Sequence, residues 1–169
     1  LRAAVDLEAL GPLALNIDCD VLNADGGTRC ASITAAGIAL RLAIRRLIRS
    51  GLCLPAHVRE TAKESGEDPA TLSESEMENH QMAVMPHDVA AISVGLLEGE
   101  VYADLDYMLD SNADVDMNLV MTSNGQFVEV QGTGEEATYS ADELNALISA
   151  GTSAMSILFD LQQSTLADV

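Results

Sequence analysis

The chain has 169 residues, 48% of them hydrophobic, enough for one ordinary domain or a compact pair of layers around a real core. Eight Lys and Arg oppose 27 Asp and Glu, a formal charge of −19, and every basic residue lies at or before Lys63. By composition alone this argues against a nucleic-acid binder, because phosphate contacts need cations, and no apolar run reaches the roughly 18 residues of a membrane span.

Leu1-Arg-Ala-Ala-Val5 has neither an initiator Met nor a signal-peptide layout, and reads as the middle of a helix. Leu13 to Leu22 alternates, with Leu13, Leu15, Ile17, Cys19 and Val21 on one face, which predicts a half-buried strand. A Gly-rich loop, Asn23 to Arg29, follows. Ser32 to Ser50 then predicts a helix, with Ile33, Gly37, Leu40, Ile44 and Leu47 as its apolar stripe and Gly51 as its stop. Arg41, Arg45 and Arg49 form a row on another face of that helix. Residues 54–86, punctuated by Pro55, Gly66, Pro69 and Pro86 and rich in acid, read as a surface insertion, partly helical or mobile. Four strands are expected next, at Val89–Gly95, Val101–Leu109, Val115–Thr122 and Gln126–Gln131, with hairpin turns at Leu97–Glu100 and Ser123–Gly125. Ser140-Ala-Asp-Glu143 is a capping box opening a last helix through Leu144, Leu147, Ile148, Met155 and Leu158. A meander closed by a helix makes the fold class α+β. The three cysteines, Cys19, Cys30 and Cys53, form no CxxC pair, so neither a disulfide framework nor a zinc site is suggested and a reducing compartment fits best.

Two constellations carry chemistry. The first is Asp25-Gly26-Gly27-Thr28-Arg29 between the expected strand and helix, the layout of an anion site. Glycines let backbone N–H groups approach the anion, and the helix N-terminus adds partial positive charge. Arg29 can pair bidentately with phosphate and Thr28 can donate its hydroxyl. The loop is neither a Walker A sequence nor a GxGxxG fingerprint. A tight turn with an exposed arginine accounts for the same residues equally well. The second constellation is Asp104, Asp106, Asp110, Asp114 and Asp116. Asp110 and Asp116 flank an expected turn that can bring them onto one hard cation such as Mg²⁺. An EF-hand reading fails, because Val115 and Met121 stand where that loop needs Gly and Glu. A solubilising acidic turn is the plainer alternative.

Several stretches in order resemble the bacterial-type ribonuclease PH family: Leu1–Gly11, Ile17–Arg29, Ala31–Thr34, Val89–Gly95, Asp104–Tyr107, Asp110–Ser111, Val115–Asn118 and Phe127–Thr133. The resemblance covers residues 1–53 and 87–165. It implies a βαβ-type arrangement of sheet and helix layers, here lacking the N-terminal strands. Residues 1–53 would be the C-terminal part of the first domain, 54–86 an acidic insertion or linker, and 87–169 the second domain. It further implies a nucleotidyltransferase: a phosphate-dependent 3′→5′ exoribonuclease that trims tRNA precursors, takes part in tRNA and rRNA processing, and releases nucleoside diphosphates. Gly27, Thr28 and Arg29 would bind the inorganic phosphate co-substrate. Asp110 and Asp116 would be catalytic and hold Mg²⁺. The partners implied are RNA and further copies of the chain in a hexameric ring, a trimer of dimers, with no membrane. The location implied is the cytoplasm, or an organelle in a eukaryote.

The chain departs from the family pattern in four ways. The N-terminal strands and a further phosphate-site arginine are missing, so residues 1–169 alone are expected to be inactive and loosely packed in their first half. The 54–86 stretch is long and acidic. Cys30 and Ala35 replace an expected Thr and Gly. The charge of −19 leaves Arg41, Arg45, Arg46 and Arg49 as the only local candidates for an RNA-facing surface, unless they are a solvated face complementing the helix C-terminal dipole. A non-catalytic ring subunit of an RNA-degrading complex is the alternative; retention of Arg29, Asp110 and Asp116 favours the enzyme. A bare acidic cation-binding module would not need the Gly27-Thr28-Arg29 loop.

Overall fold

A computed structural model describes residues 1–135 and 137–167. A 3-10 turn (Arg2–Ala4) leads into a single helical turn, α1 (Leu7–Leu10), where the Asp6 carboxylate accepts the otherwise free amides of Glu8 and Ala9. Leu13–Leu22 is not a strand. It runs on without ladder bonds, with Leu13 and Leu15 resting against the core and Ile17, Val21 and Leu22 exposed. The alternation is real, but an alternating segment becomes a strand only when a neighbour satisfies its amides, and the sheet this chain forms does not reach it.

Helix α2 (Thr28–Arg49) starts four residues before the predicted Ser32, because Gly27 takes a left-handed conformation (φ 67°) and turns the loop into the helix at once. It ends as predicted, with Gly51 at φ 73°. Its buried face is Cys30, Ala36, Gly37, Leu40, Arg41, Ile44 and Ile48. Gly37 lies so close to the Val89 carbonyl that an added Cβ would come within 2.6 Å of it. Arg41 corrects the expectation of a solvated arginine row. It is 5% exposed, and its Nε donates to Asp88 Oδ1 at 2.6 Å, while Gln163 donates to the other Asp88 oxygen. Arg45 is also engaged, donating to the Leu166 carbonyl.

The 54–86 stretch forms two helices, α3 (Ala56–Ser65) and α4 (Glu74–Val84). Helix α4 opens on a capping box, Ser73 with Glu76, that the sequence reading passed over. Leu54, Leu72, His80, Val84 and Met85 are buried here, joining α1 and the far end of α2 in one apolar cluster. The buried His80 ring lies 3.6 Å from the Cys53 thiol.

The sheet follows: β1 (Val89–Leu97), β2 (Glu100–Ala103), β3 (Val115–Thr122) and β4 (Phe127–Gly134), all antiparallel in the order β2-β1-β3-β4. Both predicted hairpin turns are present, with Glu98, Gly99 and Gly125 at positive φ. The predicted second strand stops at Ala103 rather than Leu109. Asp104 turns left-handed (φ 62°), and Asp106 caps a short helix, α5 (Tyr107–Asp110). Helix α6 (Ala141–Ala167) opens on the predicted Ser140–Glu143 box. By length and composition alone α6 could cross a membrane, but here it lies along the sheet and buries Leu147, Gly151, Met155, Gln162 and Leu166.

The sheet is thus covered on both sides, by α2 on one face and α6 on the other. Strand parity divides the side chains between them. Ala90, Ile92, Val94, Val115, Met117, Leu119 and Met121 build the α6 cluster, while Val89, Ala91 and Val120 join the α2 cluster. Ser93, Asp116, Asn118 and Glu129 share parity with the α2 set, which is what brings them to the N-terminus of α2.

Candidate active site

The loop before α2 is held against the sheet by residues with no freedom to vary in size. Gly26 lies on the backbone of Leu105 and Asp106, where a Cβ would collide with the Leu105 carbonyl. A Cβ on Gly27 would come within 2.9 Å of Ser93 Oγ. The same Ser93 hydroxyl accepts from the Leu105 amide. Asp25 closes the loop by accepting from its neighbour Gly26 N at 2.9 Å and from Tyr107 N of α5 at 2.6 Å. The loop amides and the N-terminus of α2 are therefore fixed with respect to the α5 segment.

Arg29, in the first turn of α2, pairs with Glu129 of β4 at 2.8 Å. Next to it the Cys30 thiol is 4% exposed and donates to Asn118 Oδ1 at 2.8 Å. Burial pushes that thiol up to about 12; Arg29 pulls against the shift, and Asp116, Glu129 and Asp104 add to it. Cys30 thus stays a neutral thiol.

The structure sorts four of the five aspartates. Asp106 is spent on the Leu109 amide and Asp114 on the Glu98 amide. Asp110, at the end of α5, and Asp116, on β3, line an open polar cavity of about 550 Å³ with Ser111, Asn112, Ala113, Asp114 and Glu135. Asp116 Oδ1 is buried without a hydrogen-bond partner. Burial raises the proton affinity of Asp116 above the ordinary aspartate value, and the Asp110 and Glu135 carboxylates raise it further, against a smaller opposing contribution from the Met117 amide. A solvated acidic turn does not leave a carboxylate oxygen buried and unpartnered.

Among the described residues no three His, Cys, Asp or Glu side chains converge as a closed metal site would. Two facing carboxylates with an orphan oxygen nevertheless fit Mg²⁺, which keeps several waters and uses one or two protein carboxylates beside substrate phosphates. The predicted phosphate residues and aspartates share one sheet face but not one cavity. Thr28 opens instead onto a groove with Ile17–Asn23 and with Ala31, Ser32, Ala35, Ala36 and Ala39 of α2. Sequence reasoning missed Ser93, Tyr107, Asn118 and Glu129. Only strand parity could have pointed to Asn118 and Glu129, and nothing local marks them as neighbours of a loop about a hundred residues earlier.

Residues 87–154 match the model of the 3′ exoribonuclease family, domain 2. The chain is 45% identical over its whole length to ribonuclease PH of Rhodopirellula baltica and 44% identical to those of Bacillus cereus and Bacillus anthracis. It spans 60% of the length of the first of these and 58% of the other two. A crystal structure of rice (Oryza sativa) Rrp46 has the same fold, with a TM-score of 0.56 and 19% identity over 86% of this chain and 51% of the rice chain. Along its entire length the chain is thus similar to ribonuclease PH proteins at near-half identity, and its residues 87–154 match the family's second domain.

Proposed function

We propose that the protein is a phosphate-dependent 3′→5′ exoribonuclease that trims tRNA precursors, with Mg²⁺ as its cation and a hexameric ring as its working form. The partition into a first-domain remnant (1–53), an acidic insertion (54–86) and a second domain (87–169) belongs to the same reading. The observation that carries it is the joint placement, on one sheet face, of a glycine loop with Arg29 at a helix N-terminus and an Asp116 carboxylate with one buried, unpartnered oxygen beside Asp110.

Phosphorolysis brings two anions together, the attacking phosphate and the scissile phosphodiester. Arg29, the Thr28 hydroxyl and the first amides of α2 would hold the attacking phosphate. Its alignment then comes from the rigidity of the loop, which Asp25 ties to α5 and Gly26 lays on the Leu105 carbonyl. Asp110 and Asp116 would hold Mg²⁺, which when bound neutralises charge on the scissile phosphate and the leaving 3′-oxygen. With no cation bound, burial and the neighbouring Asp110 and Glu135 carboxylates raise Asp116 above the ordinary aspartate value, and a bound cation would relieve that cost.

The test is product analysis with the full-length protein and a tRNA precursor. Shortening that requires inorganic phosphate and yields nucleoside diphosphates is expected, and Arg29→Ala should weaken phosphate use far more than RNA binding, by a charge-assisted contact of about 1.5–3 kcal/mol. Nucleoside monophosphates released in phosphate-free buffer would mean hydrolysis. Loss of all turnover would favour the non-catalytic ring subunit.

A further inference from the structure

Arg29 stands where a cation is electrostatically out of place. It lies in the first turn of α2, where the helix dipole is positive, and no acidic residue in that turn offsets it. The offset comes from across the sheet. Glu129, a hundred residues further along the chain, accepts from Arg29 Nη2 through Oε2 at 2.9 Å, and its Oε1 lies 2.8 Å away. Both carboxylate oxygens sit on that single nitrogen. Nε and Nη1 of Arg29 have no partner among the described residues. Glu129 owes its position to register: it faces Val120 of β3, and so lies on the α2 side of the sheet in line with Asp116 and Asn118.

We propose that Glu129 is the positioning residue of the phosphate site, holding the Arg29 guanidinium by one nitrogen so that the remaining N–H groups face inorganic phosphate. The proposal rests on the phosphorolytic reading and deepens it. An arginine has four rotatable bonds, and a half-exposed one with no partner must be ordered each time phosphate binds. Glu129 does that ordering beforehand. The carboxylate repels the incoming phosphate, but both side chains of the pair are well exposed, at 47% for Arg29 and 40% for Glu129, so water and salt screen that repulsion. The rival role is competition, in which Glu129 occupies Arg29 and phosphate must displace it. The two roles move the phosphate KM in opposite directions.

The experiment is steady-state phosphorolysis by the full-length protein, with phosphate varied at saturating RNA, for the parent, Glu129→Ala and Glu129→Gln. Positioning predicts that Glu129→Ala raises the phosphate KM on the order of tenfold while the RNA KM and the kcat at saturating phosphate stay within about twofold. Glu129→Gln still offers an amide oxygen to Nη2 and should stay within about threefold of the parent in phosphate KM. A lower phosphate KM in both variants would establish competition and overturn positioning. An unchanged KM in Glu129→Ala, with turnover still phosphate-dependent, would also overturn it while leaving phosphorolysis intact. Phosphate-independent turnover by the parent would remove phosphorolysis and the positioning role together.

Discussion

Asp116 shows how a single side chain can be costly to the fold. Its Oδ1 is buried without a partner, beside Asp110 and Glu135. A carboxyl whose folded-state pKa is raised helps stability only while protonated. Its contribution is present below the unfolded value near 3.8 and is lost as pH rises through the folded value above it. At neutral pH in chelator the ionised Asp116 is therefore a net cost. Asp116→Asn should melt higher than the parent at pH 7, with an advantage that shrinks as pH approaches 4, and on the proposed phosphorolytic reading it should lose catalysis. A lower melting temperature for the variant at pH 7 would show that the carboxylate is well solvated and the cation argument unfounded. Arg41 is the contrasting case. Its pairing with Asp88 is buried, and both Asp88 oxygens are bonded, so it is a structural pair rather than part of an RNA-facing row.

Among the elements, the segment Leu13–Leu22 and the strands β1 and β3 make the sharpest contrast. All have apolar residues at strand spacing. Strands β1 and β3 pair with each other over eight positions, and β1 is buried along nearly its whole length. Leu13–Leu22 has side chains half engaged with the core but no ladder, and Leu22 is 93% exposed. Hydrogen exchange on residues 1–169 should show slow amides in Val89–Leu97 and Val115–Thr122 and fast ones in Leu15–Leu22. Comparable protection in both would mean that Leu13–Leu22 is paired in solution, within one molecule or between two. Exposed apolar residues without ladder bonds are also an association hazard, so the experiment belongs at low protein concentration.

The charge distribution governs the whole molecule. Against a formal −19 the described residues form two ion pairs, one exposed and one buried. Repulsion among carboxylates then outweighs the attraction that salt would screen. Raising monovalent salt from roughly 0.1 to 1 M shortens the screening length from about 10 to 3 Å, which should raise the melting temperature. A flat or falling melting temperature would show that bound counter-ions or internal pairing already neutralise the acid excess. The same experiment in Mg²⁺ at equal ionic strength separates screening from occupancy of Asp110 and Asp116, since only a site-bound ion adds stability by mass action.

The sequence by itself determined what is written in neighbouring residues. The α2 stripe, the Gly51 stop, both hairpin turns, the Ser140–Glu143 capping box and the closing helix follow from spacings of one to four residues, and the structure keeps them. The Gly27-Thr28-Arg29 loop and the Asp110/Asp116 pair were legible for the same reason, as short motifs beside identifiable element ends. Only the tertiary structure decided which alternating segment became a strand, since a ladder needs a partner that no local pattern supplies. It decided that Asp106 and Asp114 serve backbone amides while Asp116 is left unpartnered. It also decided that Arg41 is buried on Asp88 and Arg29 held by Glu129, pairs 47 and 100 residues apart. Those contacts depend on sheet register and on the packing of α2 across it, and a one-residue slip of β4 would turn Glu129 to the opposite face.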